Sequence, residues 1–164
     1  MTHPVMFEDD DPYLVRLREV ALAFPDAVER VAHGRPGFRA GAGRFFAWYG
    51  GSTKAPGAER VVHDHALLVL PDDSERAALA EDPRAFAPAY LAPAGWTGLD
   101  LSAAGTVPPE AVDWREVAEL LDASYRRVAG VRRTARLDAG EGPGAVREDV
   151  RRHRAGGTVA AKGP

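Results

Sequence analysis

The sequence predicts an α+β domain, one antiparallel β-sheet with helices packed on one face. Three observations carry this. Apolar residues recur at helical spacing near both ends of the chain, at Leu14, Leu17, Ala21 and Phe24 and again at Trp114, Val117, Leu121, Tyr125 and Val128. Between them, short runs rich in β-formers alternate with Gly- and Pro-containing turns, the pattern of strands joined by hairpins. The chain has 164 residues, 45% of them apolar, which is enough for one core.

Each element has a local cause. Asp11 offers an oxygen cap and Pro12 a ring that fits the first helical position, so a helix starts here and Pro25 ends it. Ala27 to Ala32 reads as a strand, and residues 33–37 (His-Gly-Arg-Pro-Gly) as a turn. Phe38 to Ala40 is a short strand, Gly41-Ala42-Gly43 a second turn, and Arg44 to Tyr49 a third strand. Gly50 to Gly57 reads as a loop and Val61 to Leu70 as the strongest strand, closed by Pro71. Asp72 followed by Glu75 is a capping box that opens a helix running to about Glu81, where Asp82-Pro83 stops it. Phe86 to Pro93 is Pro-rich and irregular. Gly95 to Ser102 is a last strand, with Trp96 and Gly98 opposite in facing to Thr97 and Leu99. Asp113 caps the final long helix, with Glu116 as its reciprocal partner, and residues 131–138 add one more turn. The segment 139–164 holds almost no large apolar residue. It is expected to be a mobile tail outside a folded domain spanning 1–138.

Composition removes several function classes. There is no Cys, so disulfides and thiolate metal sites are excluded, and no Asn, so N-glycosylation is too. No apolar run is long enough to cross a membrane, and Met1 to Asp11 does not read as a secretory leader, so a cytoplasmic protein is expected. The net charge of −3 is uneven. Residues 139–164 hold five cations against three acids, a balance of +2, which leaves −5 for the body. Any basic surface on the body must therefore be local.

Few motifs carry chemistry. Gly50-Gly51-Ser52-Thr53-Lys54 has the letters of a phosphate loop in the wrong order, and Ala55-Pro56-Gly57 cannot open the helix such a loop needs, so it reads as a hairpin loop. His63 and His65, two apart on a strand, are expected on one face. With a third ligand such as His33 they could hold a metal, but the reading adopted is two solvated imidazoles and no metal site. No Gly-x-Ser-x-Gly elbow is present, and Ser124 on the final helix reads as a packing or carbonyl-bonding residue. The carboxylate pairs Asp72-Asp73 and Glu116-Glu119 sit where helices want caps and solvated faces. No enzyme and no cofactor are expected. The third strand is more informative. Alternation puts Phe45, Ala47 and Tyr49 on one face and Phe46 and Trp48 on the other, with Arg35, Arg39, Arg44, Lys54 and Arg60 in the flanking segments. Aromatics among cations suit nucleic acid, where charge holds phosphate and rings stack on bases. They equally suit a protein interface, and a core sealed by a helix or a second subunit.

Four stretches, in order, resemble the MmcQ/YjbR family of small bacterial proteins: Leu17 to Asp26; His33 to Arg39 with Arg44-Phe45-Phe46; Phe86 to Tyr90 leading to Gly95 to Leu101; and Asp113-Trp114 through Leu120 to Val128. The Gly-Trp strand followed by a helix ending in Ser-Tyr is the most distinctive part. The resemblance implies a CyaY-like (frataxin-like) fold, a double-wing arrangement of sheet and loops, and DNA as partner, with no catalytic residues assigned. On this expectation Arg35, Arg39, Arg44 and Lys54 contact phosphate, Phe46 or Trp48 stacks or wedges, and Arg126 and Arg127 extend the basic rim. The alternative is a ligand- or protein-interaction domain, as a homodimer for instance, that uses the aromatic sheet face without nucleic acid.

Overall fold

The computed structural model describes residues 3–143. Four α-helices and six strands follow the order α1 (Pro12–Ala21), β1 (Ala27–Ala32), β2 (Arg35–Ala40), β3 (Phe45–Thr53), β4 (Val61–Val69), α2 (Asp73–Leu79), β5 (Ala85–Phe86), β6 (Thr97–Asp100), α3 (Trp114–Val128) and α4 (Val131–Asp138). The strands form one antiparallel sheet in the order β1-β2-β3-β4-β6-β5. The α+β class read from the sequence is the class observed.

The caps act as the sequence predicts. Asp11 accepts the Tyr13 amide at the start of α1. Asp72 and Glu75 close a reciprocal capping box on α2. Asp113 accepts the amides of Arg115 and Glu116 on α3. Glu116, however, turns away from the cap: its carboxylate takes the Arg84 guanidinium at 2.8 Å, and Arg84 also holds Asp82 at 2.7 Å.

One buried cluster joins the helices to the sheet. Leu14 and Leu17 of α1 and Val117, Leu121 and Tyr125 of α3 pack with Phe38, Phe46, Tyr49, Leu67 and Val69. Two neighbouring residues of α3 fasten this layer. The Ser124 hydroxyl donates to the Phe46 carbonyl at 2.5 Å and accepts the Leu70 amide at 2.9 Å. The Tyr125 hydroxyl donates to the Pro25 carbonyl at 2.6 Å. The carbonyl-bonding role read for Ser124 is therefore observed. α4, read as one more turn, is a helix of eight residues. Its Arg133 and Arg136 both bind Asp26, which fastens it to the turn before β1.

Three hairpin boundaries differ from the sequence reading. The turn after β1 is only His33-Gly34, with φ of 53° and 80°, a two-residue hairpin of the left-handed kind that matches sheet twist. Arg35, Pro36 and Gly37 thus belong to β2. β3 continues through Gly50 to Thr53, because Ser52 and Thr53 pair with Val62 and Val61. β6 is shorter than read, and Phe86 joins a two-residue edge strand paired to it. Of the tail, Gly142 and Pro143 are buried, and the part beyond Pro143 lies outside the described residues. Among the described residues no helix is long and apolar enough to cross a membrane.

Candidate functional site

The sheet face turned away from the core cluster is set up by β2. Phe38 and Ala40 point into the core, so Arg35, Gly37 and Arg39 share the other face. Gly37 leaves a gap between the two arginines, and two rings fill it. A Cβ on Gly37 would lie 2.7 Å from both the Phe45 and the Trp48 ring, and these rings stack at 4.2 Å. The Arg39 guanidinium lies 5.8 Å from the centre of Phe45. A second ring covers a second glycine. Phe86 lies over Gly98, where a Cβ would meet it at 2.4 Å, and stacks on His63 at 4.0 Å. The face is thus surfaced by half-buried rings laid across glycines, with cations at its margins.

The pairing of Phe45 with Trp48 corrects the expected alternation. Between β2 and β3 the register shifts at Phe38/Arg39. Ala47 opposes Phe38 and Phe45 opposes Arg39, so Phe46 is left as an extra, unpaired residue. The bulge turns Phe46 into the core, where it is fully buried between Phe24 and Tyr125. Phe46 therefore cannot stack on a base or wedge into a groove. Trp48 keeps its place on the open face, and Phe45 joins it there.

The cations divide in the same way. Arg44 and Lys54 are exposed in the turns that flank β3. Arg39 is half-buried, and its Nε has no hydrogen-bond partner among the described residues. The Arg35 side chain is only 13% exposed and reaches Asp64 at 3.6 Å. Burial pulls its pKa down, against the attraction of Asp64. Arg126 and Arg127 do not join this face. Arg126 is held by Asp122 at 2.6 Å and Asp138 at 2.7 Å, within the helical layer. Arg127 donates to the carbonyls of Leu70 and Pro71. Both sit in the helical layer, across the sheet from this face, where Arg126 ties helix to helix and the exposed Arg127 ties helix to sheet.

The two histidines also part company. β4 gains residues against β3 between the Tyr49 and Gly51 pairings, and the irregularity breaks the expected same-face spacing. His63 stacks on Phe86 and meets Asp100 at 3.0 Å. His65 stacks on Tyr13 of α1 and meets Asp11 at 3.0 Å and the Tyr49 hydroxyl at 2.8 Å. Neither is a freely solvated imidazole, and they do not converge. Among the described residues no group of three or more His, Asp or Glu is placed to hold a metal ion. Burial raises the Asp100 pKa, but hydrogen bonds from His63 and Ser102 outweigh it and hold the carboxylate below its ordinary value. Ser102 donates to that carboxylate at 2.6 Å and not to the imidazole, so it is not arranged as a nucleophile on a base.

Sequence reasoning did not find the covering role of Phe86 or the gap at Gly37. The only available signal was a glycine inside each strand, a mark of close approach by another group. Comparison with family models gives a match to YjbR over residues 22–127, more than half of the chain. Comparison with curated proteins and with solved structures returns no match.

Proposed function

The chain belongs to the YjbR family, and from that premise we propose that it is a non-enzymatic DNA-binding protein that uses the open sheet face and its flanking turns. The observation that carries this reading is the row Arg35–Gly37–Arg39 with the Phe45–Trp48 stack laid across its middle. Charge at both ends of an aromatic surface serves a nucleic acid strand, whose phosphates and bases alternate along its length. Arg39, Arg44 and Lys54 contact phosphate in this reading, and Trp48 and Phe45 offer the stacking surface. Arg35 sits deeper and supports the same face.

Fluorescence anisotropy with a labelled duplex and the matching single strand tests it, at about 50 and about 200 mM salt, because phosphate contacts make affinity fall steeply with salt. Arg39→Glu and Arg44→Glu, made separately, should each weaken binding. If neither does, the sheet face is not the interface. A chain ending at Pro143 tests residues 3–143 without the basic segment 144–164: binding by the full chain alone assigns the affinity to that segment. No binding by either chain at low salt removes the nucleic-acid reading and leaves the interaction-domain alternative.

A further inference from the structure

Beside the aromatic face lies a cleft of about 570 Å³, within the range that small-molecule sites occupy. Trp48 and Leu68 line one side, Tyr90 and Leu91 another, and Arg35 and Arg60 supply charge. Its walls are tied by backbone hydrogen bonds. The Ala89 amide donates to the Ser52 carbonyl at 2.7 Å, and the Met6 amide to the Gly34 carbonyl at 2.9 Å.

Two features of the cleft have no use in a merely structural reading. The first is Arg35. Its Nη1 is buried without an acceptor among the described residues, while the other terminal nitrogen, Nη2, lies 3.6 Å from the carboxylate of Asp64, which is 64% exposed. Buried guanidinium donors are normally matched by acceptors, and an unmatched one calls for a water, an ion or a ligand. The backbone makes room for it: Gly50 has φ of 80°, and a Cβ there would lie 2.0 Å from Nη1. The second is Tyr90 at the rim. It holds φ of 69°, a strained value for a bulky residue, while 84% exposed. Its hydroxyl accepts from Arg60 at 3.3 Å, and the Arg60 guanidinium lies 5.9 Å from the ring centre. The cleft thus combines a flat apolar wall, a buried cation with an unmatched donor and an exposed second cation at the mouth.

We propose that this cleft binds a small planar organic anion, its flat apolar body against Trp48 and its carboxylate, sulfonate or phosphate group on Arg35, with Arg60 and Tyr90 closing the mouth. The cleft shares Arg35 and Trp48 with the proposed DNA-binding face, but the inference does not depend on that reading, since a free small molecule satisfies it.

The test is an NMR titration of the full ¹⁵N-labelled chain with 1-naphthalenesulfonate, with neutral 1-naphthalenemethanol in parallel and an octathymidylate strand as a third arm. Saturable shifts are expected for the Trp48 indole N–H and the amides of Gly50, Gly51 and Ser52. Arg35→Gln should weaken the sulfonate about tenfold, the equivalent of one charge-assisted hydrogen bond. Arg60→Gln, an exposed change that leaves the core untouched, should weaken it by about twofold to threefold. Equal affinity for the neutral alcohol, shifts confined to another surface, or unchanged affinity in Arg60→Gln and in a folded Arg35→Gln would each overturn the proposal. So would shifts at these groups with the oligonucleotide and none with the sulfonate, an outcome that would support the nucleic-acid reading instead.

Discussion

Replacing Ser124 by Ala should cost far more than the loss of one hydroxyl suggests. The bulge at Phe46 leaves that residue without a ladder partner, so its carbonyl depends on the Ser124 hydroxyl at 2.5 Å. Leu70 lies one residue past the last β4 pairing, and its amide depends on the same oxygen at 2.9 Å. Ser124 is fully buried, so water does not replace it. Each orphaned backbone group then costs about 1–3 kcal/mol, and with partial relaxation the pair costs about 2–4 kcal/mol. For a urea slope near 2 kcal/mol per M, the unfolding midpoint should fall by about 1–2 M at unchanged slope. Ser74→Ala, on the exposed face of α2, is the control and should stay within about 0.5 kcal/mol. A Ser124→Ala midpoint within about 0.3 M of wild type would refute the reasoning, because it would mean that the two groups find partners without this hydroxyl.

Three further outcomes are expected. Gly98→Ala would place a Cβ 2.4 Å from Phe86, so the ring must leave both Gly98 and His63. A loss of about 1–3 kcal/mol in thermal unfolding is expected, and a change under about 0.5 kcal/mol would show Phe86 to be a loose cover. Stability should also fall in alkali. Burial pushes Tyr125 from 10.0 up to about 12, and burial together with Asp11 raises Tyr49 as well. Above pH ~10 the unfolded chain releases tyrosine protons that the folded chain keeps. Each such group's contribution is therefore full below its unfolded pKa and is lost at up to about 1.4 kcal/mol per pH unit as pH rises towards the folded value. Tyr125→Phe should flatten that decline between pH ~10 and ~12 in urea melts, and an unchanged slope would count against it. Finally, Arg126→Ala and Arg127→Ala should lower the urea midpoint while leaving the salt dependence of DNA binding as in wild type. A drop in affinity matching that of Arg44→Glu would return them to the interface.

The local elements were legible because their causes are local. A cap at Asp11, a capping box at Asp72 and Glu75, and the apolar stripe on α3 are written within a few residues of where they act. The face of Phe46 was not, because alternation assumes an unbroken ladder and the bulge depends on how β2 and β3 pair. Gly50 to Thr53 read as a loop for a similar reason. Small and polar residues favour turns on their own, yet pairing with Val61 and Val62 holds Thr53 and Ser52 in a strand. Among the candidate cations, charge identified the residues but not their commitments. Asp122 and Asp138 hold the half-buried Arg126, and two backbone carbonyls take the exposed Arg127, contacts that charge alone does not reveal. The cleft had no sequence signature, since it brings together residues from His3 to Leu91.

The strand order has a consequence for self-association. A sheet ending in β1 on one side and the two-residue β5 on the other presents two unequal templates to a foreign strand. β5 is too short to seed one. β1 offers six residues, with Val28 and Val31 exposed along it, and is the edge at risk of amyloid-like stacking. It is guarded by charge. Arg30 is exposed on this strand, and Glu29 is clamped to Arg18 of α1 at 2.7 Å, so an incoming chain would have to bury or dislodge that ion pair. Neutralising Glu29 and Arg30 together would remove the gatekeepers of this edge.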